Sequence, residues 1–242
     1  MAGVRPGALS FEPAPVALAP DAVHCWLISL DGEADDGLLD DQERARAARF
    51  RFERDRRRFI AGHDAIRRIL ARYVKTPPGL LEFSIAKGGR PFLATSAVNF
   101  NYSCSDEMGL LAVSNTAVLG ADIEAVRAND DLPCVARQNF STIECDMLNA
   151  LHKEAWTNGF FNCWTRKEAV VKAMGDGLAA PLQSFDVSLR PDDEAEILRA
   201  DGACSAAKTW ALRAFTPEHG YRAAIVTDIP APNLHVLREL AR

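Results

Sequence analysis

Two acidic residues, Asp122 and Glu124, lie two positions apart in AVLGADIEA (117–125), a run that is typical of a β-strand. Side chains two apart in a strand leave the same face of the sheet, so the two carboxylates are held close together. In apolar surroundings they repel each other and lose hydration unless a positive charge lies between them. A hard cation such as Mg²⁺ would supply that charge, because it binds protein carboxylates together with phosphate oxygens. The alternative is an edge strand whose acids face water, which is the commoner case for an isolated Asp-x-Glu pattern.

A second group of charged residues, Lys167, Glu168 and Lys172, interrupts the otherwise apolar helical segment FNCWTRKEAVVKAMGDGL (161–178). Glu168 and Lys172 are four apart and therefore share one helix face, where they could form a surface ion pair worth about 0.2–0.5 kcal/mol. In the other interpretation, Glu168 completes a metal site with the two acids of the strand, and Lys172 contacts a phosphate bound there. The charged residues of this segment, Lys167 included, would then lie in a dry cleft that strengthens their interactions.

Arginine is concentrated in two other places. KGGRP (87–91) puts Arg90 on a glycine turn, where backbone amides and a guanidinium group can both contact an anion; the alternative is a hairpin turn with a solvent-facing arginine. The arginine-rich stretch 42–59 indicates either a local anion site or a solvated helix face. The net charge is -5, so we expect no nucleic-acid partner.

Composition indicates a globular protein with a core. The 242 residues are 48% hydrophobic and 25% charged, which suits one large domain or two small ones. Six scattered cysteines without a CxxC pair and an N-terminus without a signal-peptide profile predict free thiols in a cytoplasmic protein. No apolar run approaches membrane-spanning length, so we expect no membrane partner.

The order of predicted elements indicates an α+β protein with two similar halves. We expect strands at 22–30, 81–86, 98–103, 109–114, 117–125, 184–189, 209–215 and 221–228, with helical regions at 40–74 and 141–174. Gly175 and Gly177 would end the second helical region. A strand opens each half, which predicts an N-terminal half at 1–116, with an irregular lead-in at 1–21, and a C-terminal half at 117–242. Such an internally paired fold favours a monomer.

Three segments in this order resemble those of 4′-phosphopantetheinyl transferases of the surfactin-synthetase-activating (Sfp) type. They are GRPFLATSAVNFNYSCS (89–105), LGADIE (119–124) and FFNCWTRKEAVVKAMGDGL (160–178), and the resemblance extends from about 22 to 228. It implies transfer of phosphopantetheine from coenzyme A to a serine of an apo acyl- or peptidyl-carrier protein, with Mg²⁺ and release of adenosine 3′,5′-bisphosphate. It also implies a pseudo-twofold pair of α+β halves, with coenzyme A and Mg²⁺ in the cleft between them.

The resemblance assigns roles by matching position. Asp122, Glu124 and Glu168 would bind Mg²⁺, and Lys172 would contact a coenzyme A phosphate. From the chemistry of the reaction, we expect Glu168 to take the serine proton, directly or through a metal-bound water, so that Asp122, Glu168 and Lys172 form the catalytic set. The coenzyme A nucleotide and its phosphates would contact Arg46, Arg58, Arg90, Ser103 and the residue at position 104. This chain departs from the family there: the usual N-x-S-H-S reads NYSCS, so Cys104 replaces a histidine that contacts the 3′-phosphate. We expect weaker 3′-phosphate binding unless a nearby arginine compensates.

Alternative functions remain open from the sequence. A non-catalytic module of the same fold could bind coenzyme A or a carrier protein without turnover, and a different Mg²⁺-dependent phosphoryl-transfer enzyme could use the same charged groups. A plain α+β protein with surface acids is the third possibility. For the transferase, we expect an acidic helical carrier domain as partner, guided by arginines of 44–58 or by apolar residues of 132–162.

Overall fold

The structure, a computed structural model, has mixed helical and strand content. It describes residues 17–32, 35–86, 88–94, 98–116, 118–175 and 182–239. The α-helices are α1 (Asp41–Ala47), α2 (Glu53–Val74), α3 (Leu132–Asn139), α4 (Thr142–Asn149) and α5 (Lys153–Met174). The strands are β1 (Ala22–Ser29), β2 (Phe83–Ile85), β3 (Pro91–Leu93), β4 (Asn99–Ser105), β5 (Met108–Ser114), β6 (Leu119–Ala125), β7 (Phe185–Val187), β8 (Ile197–Ala200), β9 (Ala211–Phe215), β10 (Tyr221–Thr227) and β11 (Asn233–Arg238).

Two sheets form the centre of the molecule, and their topologies correspond. The first has the order β11-β1-β5-β4 and the second the order β6-β10-β9. In each, an opening strand (β1 or β6) is followed by a 22-residue helix (α2 or α5) and later by an antiparallel pair of strands. The last strand of that pair, β5 or β10, lies antiparallel to the opening strand. Two short hairpins, β2–β3 and β7–β8, complete the strands of the described residues.

The packing of the sheets follows from the alternation of side chains along the strands. Trp26 and Ile28 of β1 pack with α2 in one apolar cluster, whereas Cys25 and Leu27 belong to a cluster that contains residues of β5, β6 and β10. The two sheets therefore share a core. α5 covers the other face of the second sheet, which gives the layer order helix, sheet, sheet, helix.

Most of the predicted elements are confirmed. The strand at 22–30 is β1, the hairpin at 98–114 is β4–β5 with its turn at residues 106–107, and the strand at 117–125 is β6. The predicted strands at 81–86, 184–189, 209–215 and 221–228 correspond to β2, β7, β9 and β10. Gly175 ends α5 in the left-handed conformation with a φ of 77°, while Gly177 lies outside the described residues.

Both helical predictions were too continuous. The region 40–74 contains two helices, with residues 48–52 between them, and Asp40 and Glu43 accept hydrogen bonds from the buried guanidinium group of Arg67 on α2. The region 141–174 is likewise divided into α4 and α5. Elements that the sequence analysis did not predict are α3, β3, β8 and β11.

The final strand has a consequence for the organisation of the chain. β11 runs parallel to β1 in the first sheet, with His235 opposite His24. The last strand of the chain thus belongs to the sheet that the first strand begins. The predicted division at 116/117 stays a prediction.

Two further expectations concern the cysteines and the membrane. All six cysteines are free thiols, as predicted. Among the helices that the structure describes, none combines the length and the apolar character needed to cross a bilayer.

Candidate active site

A glycine on β6 allows α5 to approach the second sheet closely. A Cβ atom at Gly120 would overlap the carbonyl oxygen of Ala169 and lie 2.6 Å from the backbone nitrogen of Ala173. Any larger residue would therefore push the helix away from the strand. The close approach brings Glu168 and Lys172 to the face of β6 that carries the two acids.

Asp122 is the centre of the charged cluster on this face. One of its carboxylate oxygens, Oδ1, accepts hydrogen bonds from Lys172 Nζ at 2.6 Å and from Ser103 Oγ at 2.8 Å. Lys172 Nζ also donates to Ser103 Oγ at 2.8 Å, which closes a three-membered network. Asp122 is only 2% exposed, and its second oxygen, Oδ2, is buried without a hydrogen-bond partner among the described residues. A buried carboxylate thus keeps an unused acceptor.

Hydroxyl and amide side chains of β4 connect the two sheets at this cluster. Ser105 Oγ donates to Glu124 Oε2 at 2.6 Å and accepts the backbone N–H of Ala125. Asn101 Oδ1 accepts the backbone N–H of Ala121 at 2.9 Å. With Ser103, these alternate residues of β4 all bond to β6, because side chains two apart in a strand share one face. The candidate site therefore lies where the two sheets meet.

Asp122, Glu124 and Glu168 share one electrostatic environment. Burial raises the pKa of Asp122, although the Lys172 ammonium group and the Ser103 hydroxyl oppose the change. Burial also raises the pKa of Glu124 and of Glu168, and the charge of Asp122 raises both further. Three carboxylates beside one ammonium group leave an excess of negative charge, and that excess favours a cation.

The donor set suits a hard cation, although the side chains are not arranged around one. Carboxylate oxygens are the ligands that Mg²⁺ prefers, and the partnerless Asp122 Oδ2 is a buried oxygen of this kind. Within the described ranges, no three or more His, Cys, Asp or Glu side chains are placed to hold a metal ion together. Instead, the Lys172 ammonium group contacts Asp122 directly. The predicted ligands Asp122, Glu124 and Glu168 thus lie in one electrostatic cluster, and their role as metal ligands stays a prediction.

Cys104 lies on β4 between the two serines of the cluster. The residue is exposed as a whole, yet nearby protein atoms partly desolvate the thiol, and this raises its pKa. The acids Asp122 and Glu124 act in the same direction, and Lys172 opposes them. A neutral thiol cannot supply the positive charge of a protonated histidine.

The three predicted nucleotide-binding arginines have partners outside the cluster. Arg58 forms ion pairs with Asp31 and Asp106, both at 2.6 Å. Arg90 donates to the carbonyl oxygen of Phe100 at 3.2 Å, and burial lowers its pKa. The guanidinium carbon of Arg46 lies 5.3 Å from the ring centroid of Phe59. In the part of the chain that the structure describes, none of these arginines bonds to the acidic cluster, so their roles stay predictions.

The prediction that Lys167 lies in the cleft is wrong. Its side chain is 1% exposed, and Nζ donates to both carboxylate oxygens of Glu144, at 2.7 and 2.6 Å, and to the carbonyl oxygen of Phe185 at 2.7 Å. Successive helix residues point about 100° apart, so Lys167 turns away from the face that Glu168 and Lys172 occupy. It fastens α5 to α4 and β7.

Sequence reasoning missed Asn101, Ser105 and Gly120. A signal for the first two existed in the strand NFNYSCS, where polar residues recur at every second position from 99 to 105. Gly120 stands inside an apolar strand, and a glycine at such a position indicates a close backbone approach. These residues position the acids and lysine found from the sequence.

Comparison with known proteins identifies the family of this chain. Residues 118–226 match the sequence model described as "4'-phosphopantetheinyl transferase superfamily", and residues 34–116 match "4'-phosphopantetheinyl transferase, N-terminal". The 4′-phosphopantetheinyl transferase HetI of a Nostoc species is 35% identical over 223 residues, covering 88% of this chain and 91% of that protein. A 4′-phosphopantetheinyl transferase of Bacillus subtilis is 28% identical over 190 residues, covering 78% and 82%.

A solved structure titled "Chronobacterium ammoiniagenes apo-ACPS structure" aligns with a TM-score of 0.33 and 16% identity. It covers 45% of this chain and 92% of that one, and a similarity this low carries no argument. The sequence relatives by themselves assign the family. The chain belongs to the 4′-phosphopantetheinyl transferase family and is a transferase enzyme.

Proposed function

We propose that this protein transfers the 4′-phosphopantetheine group from coenzyme A to a serine of an apo acyl- or peptidyl-carrier protein, releasing adenosine 3′,5′-bisphosphate. The observation that carries the proposal is the buried Asp122, which binds Lys172 with one oxygen and keeps the other without a partner, beside two more acids with raised pKa values. A site of this kind suits a cation and a phosphate ester. We further propose that the enzyme is of the Sfp type, as the segments around Ser103, Asp122 and Glu168 indicate.

The acids would bind the cofactor of the reaction. Asp122, Glu124 and Glu168 would hold Mg²⁺, whose charge, when bound, stabilises the negative charge that develops on the leaving group. Lys172 is placed to neutralise Asp122 before substrate arrives and to contact a coenzyme A phosphate afterwards, since its side chain is 28% exposed. Its Nζ donates to two acceptors here, so one of its three donors is available.

Glu168 is the proposed base for the carrier serine. Burial and the charge of Asp122 raise its pKa, which brings the basicity of the carboxylate closer to neutral pH. A general base acts best when its pKa lies near the pH at which the enzyme works. Phosphoryl transfer otherwise needs positioning and charge stabilisation more than covalent help, and the fixed network of Ser103, Asp122 and Lys172 provides both.

The nucleotide of coenzyme A would contact the N-terminal half. Ser103 already bonds to Lys172, so it is close to where a phosphate would lie, and the Cys104 thiol is near enough to interact electrostatically with Lys172 and Asp122. We propose Arg46, Arg58 and Arg90 as further contacts. Arg58 is held by carboxylates at present and would exchange one of them for a phosphate. Because Cys104 offers no cationic donor, we expect this enzyme to discriminate weakly between coenzyme A and its 3′-dephosphorylated form.

We also propose a pseudo-twofold arrangement of halves 1–116 and 117–242 with the active site between them. The equivalent strand orders β1-β5-β4 and β6-β10-β9, each covered by a 22-residue helix, support this symmetry. A monomeric state and a cytoplasmic location remain predictions from the sequence.

The carrier partner would dock on the basic segment before and at the start of α2. Arg49, Arg51 and Arg57 are exposed and form no ion pair within the described residues, and Phe52 beside them is 60% exposed. Such a surface suits an acidic, partly apolar helix of a carrier domain. Carrier binding should therefore weaken as salt is added, and binding indifferent to salt would count against this surface.

Incubation of the protein with an apo-carrier protein, coenzyme A and Mg²⁺ tests the function directly. Mass spectrometry should show the gain of one phosphopantetheine group on the carrier serine. Asp122→Asn and Glu168→Gln should each lower the transfer rate by at least about a hundredfold, because general acid–base and electrostatic groups contribute that much. Glu82→Gln is the matched control, since Glu82 is an exposed acid away from the cluster.

Tight coenzyme A binding without transfer to any member of a carrier panel would overturn the proposal in favour of a binding module. Release of a nucleotide without a carrier would point instead to another phosphoryl-transfer reaction. Equal rates in Glu168→Gln and Glu82→Gln would remove Glu168 from the catalytic set.

A further inference from the structure

A cavity of about 450 Å³ lies beside the acidic cluster, because Arg222, which lines it, is the cross-strand partner of Glu124. It is bounded by α5, the edge strand β9, the start of β10 and the segment from Pro191 to Ala195. None of Asp122, Glu124, Glu168 and Lys172 lines it. The charged residues that do line it are Arg166, Arg213, Arg222, Asp193 and Glu194.

Arg166 lines this cavity and has an unsatisfied donor. The residue is 4% exposed, and its Nη1 donates to the carbonyl oxygen and the hydroxyl of Ser188, at 2.6 and 3.0 Å. Its Nε is buried and has no hydrogen-bond partner among the described residues. A buried charged group without an opposite charge is costly, and its guanidinium plane suits a bidentate oxyanion.

The other two arginines of the cavity also lack an acidic partner. Arg222 donates to the carbonyl oxygen of Tyr221 and to Asn158 Oδ1, both at 2.7 Å, and Arg213 donates to the carbonyl oxygen of Leu212. Among the described residues, the hydrogen bonds of Arg166, Arg213 and Arg222 go to neutral groups, and none of the three forms an ion pair. Three guanidinium groups therefore line the cavity, and the two acids beside them, Asp193 and Glu194, form no ion pair with them.

The two acids at the cavity are exposed and do not neutralise the arginines as a bound anion would. Asp193 and Glu194 both face solvent, and Asp193 influences Arg166 electrostatically without forming an ion pair. Desolvation outweighs this influence, so the pKa of Arg166 is lowered to about 10, and the positive charge of Arg222 contributes. An anion inside the cavity would oppose both effects.

The geometry points to a second anion site, in which Arg166 and Arg222 bind the phosphate, sulfate or carboxylate group of a small molecule. The cavity volume falls within the range of small-molecule sites, so the group would belong to a ligand larger than an inorganic ion. Charge-assisted bonds from guanidinium groups to oxyanions are among the strongest hydrogen bonds in proteins. Lys172, the proposed phosphate contact of the transferase reaction, does not line this cavity.

Titration with inorganic phosphate at constant ionic strength, followed by calorimetry, tests this site. The Lys172→Met variant serves as the background, so that binding at the active site is weakened and the two sites are separated. Saturable binding should persist in that background. Adding Arg166→Met or Arg222→Gln should raise the dissociation constant by about tenfold or more, the effect of losing one charge-assisted bond. Adding Asp193→Asn should lower it by about twofold, because an exposed competing charge is removed.

Circular dichroism and thermal unfolding in chloride establish that each variant is folded. If Arg166→Met does not fold, Arg222→Gln and Arg213→Gln decide the question in its place. Loss of all phosphate binding on Lys172→Met alone would overturn the proposal, as would equal dissociation constants with and without the arginine substitutions. Either result leaves the proposed transferase reaction untouched, because that reaction is measured separately on a carrier protein.

Discussion

Two lysines of α5, five residues apart, each form an ion pair with a carboxylate from another element. The two pairs differ in how many of their hydrogen-bonding groups have a partner. Lys167 is 1% exposed and uses all three of its donors, two on Glu144 and one on Phe185. Glu144 in turn accepts the backbone N–H groups of Ser141 and Val187. Both charges of this pair are therefore neutralised and fully hydrogen-bonded.

The pair of Lys172 and Asp122 is incomplete by comparison. Asp122 Oδ2 is buried without a partner, Lys172 remains 28% exposed, and two further acids with raised pKa values lie alongside. A closed ion pair holds elements together, whereas an open one keeps the capacity to bind a cation and a phosphate. Burial alone does not identify a functional charge, but burial with an unused hydrogen-bonding group does.

The largest expected effect comes from breaking the closed pair. Lys167→Met leaves the charge of Glu144 buried and alone, so the free energy of unfolding should fall by about 3–5 kcal/mol. Urea denaturation followed by circular dichroism measures this change. A loss below about 1 kcal/mol would contradict a structural role for Lys167.

Lys172→Met is the matched variant in the open pair. Its stability loss should be smaller, about 1–2 kcal/mol, because Ser103 still donates to Asp122 and burial, which raises the pKa of Asp122, favours the neutral carboxyl group once the ammonium group is gone. Its transfer rate, by contrast, should fall by about a hundredfold, because a positive charge aimed at the phosphate is lost. Initial transfer rates of the folded Lys167→Met and Lys172→Met variants measure this difference. Equal losses of stability and of transfer rate in the two variants would contradict the distinction between a closed and an open pair.

The close packing of α5 on β6 is expected to show the next largest effect. Gly120→Ala forces the helix away from the strand, so the free energy of unfolding should fall by about 1–3 kcal/mol and the transfer rate should fall with it. Gly79→Ala is the control, because a Cβ atom there meets only ordinary contact at 3.8 Å, and its effect should stay within about 0.5 kcal/mol. An active, fully stable Gly120→Ala protein would show that the helix position is not critical.

The smallest expected effect is the pH dependence of stability that Glu168 causes. Burial raises the pKa of Glu168 above its ordinary value of 4.5, so the ionised group destabilises the folded state. The protonated form of Glu168 favours the folded state. This contribution to stability is complete below the unfolded pKa and is lost as the pH rises through the folded pKa. Glu168→Gln should therefore raise the free energy of unfolding at pH 7 by up to about 1 kcal/mol, or roughly 2–4 °C in Tm, while it lowers the transfer rate by at least about a hundredfold.

The difference between wild type and Glu168→Gln should disappear near pH 4, where the carboxyl group is protonated in both states. Thermal unfolding across pH 4–8 without divalent cations measures it. A stability difference that does not change with pH would show that the charge of Glu168 is not responsible.

Much of the candidate site was accessible from the sequence because it depends on local geometry. The period of a strand puts Asp122 and Glu124 on one face, and the period of a helix does the same for Glu168 and Lys172. The hairpin β4–β5 and the strands β1 and β6 follow from short apolar runs between turn residues. Each of these features is determined within a few residues of the chain.

The pairing of charges was decided only by the tertiary structure. Lys172 meets Asp122 across 50 residues, and Lys167 meets Glu144 across 23, in opposite directions from the same helix. Likewise β11 joins β1 from the far end of the chain, and the arginine cavity assembles from α5, β9 and β10. Local periodicity determines which side chains share a face, but long-range packing decides what that face contacts, and no spacing in the sequence contains that information.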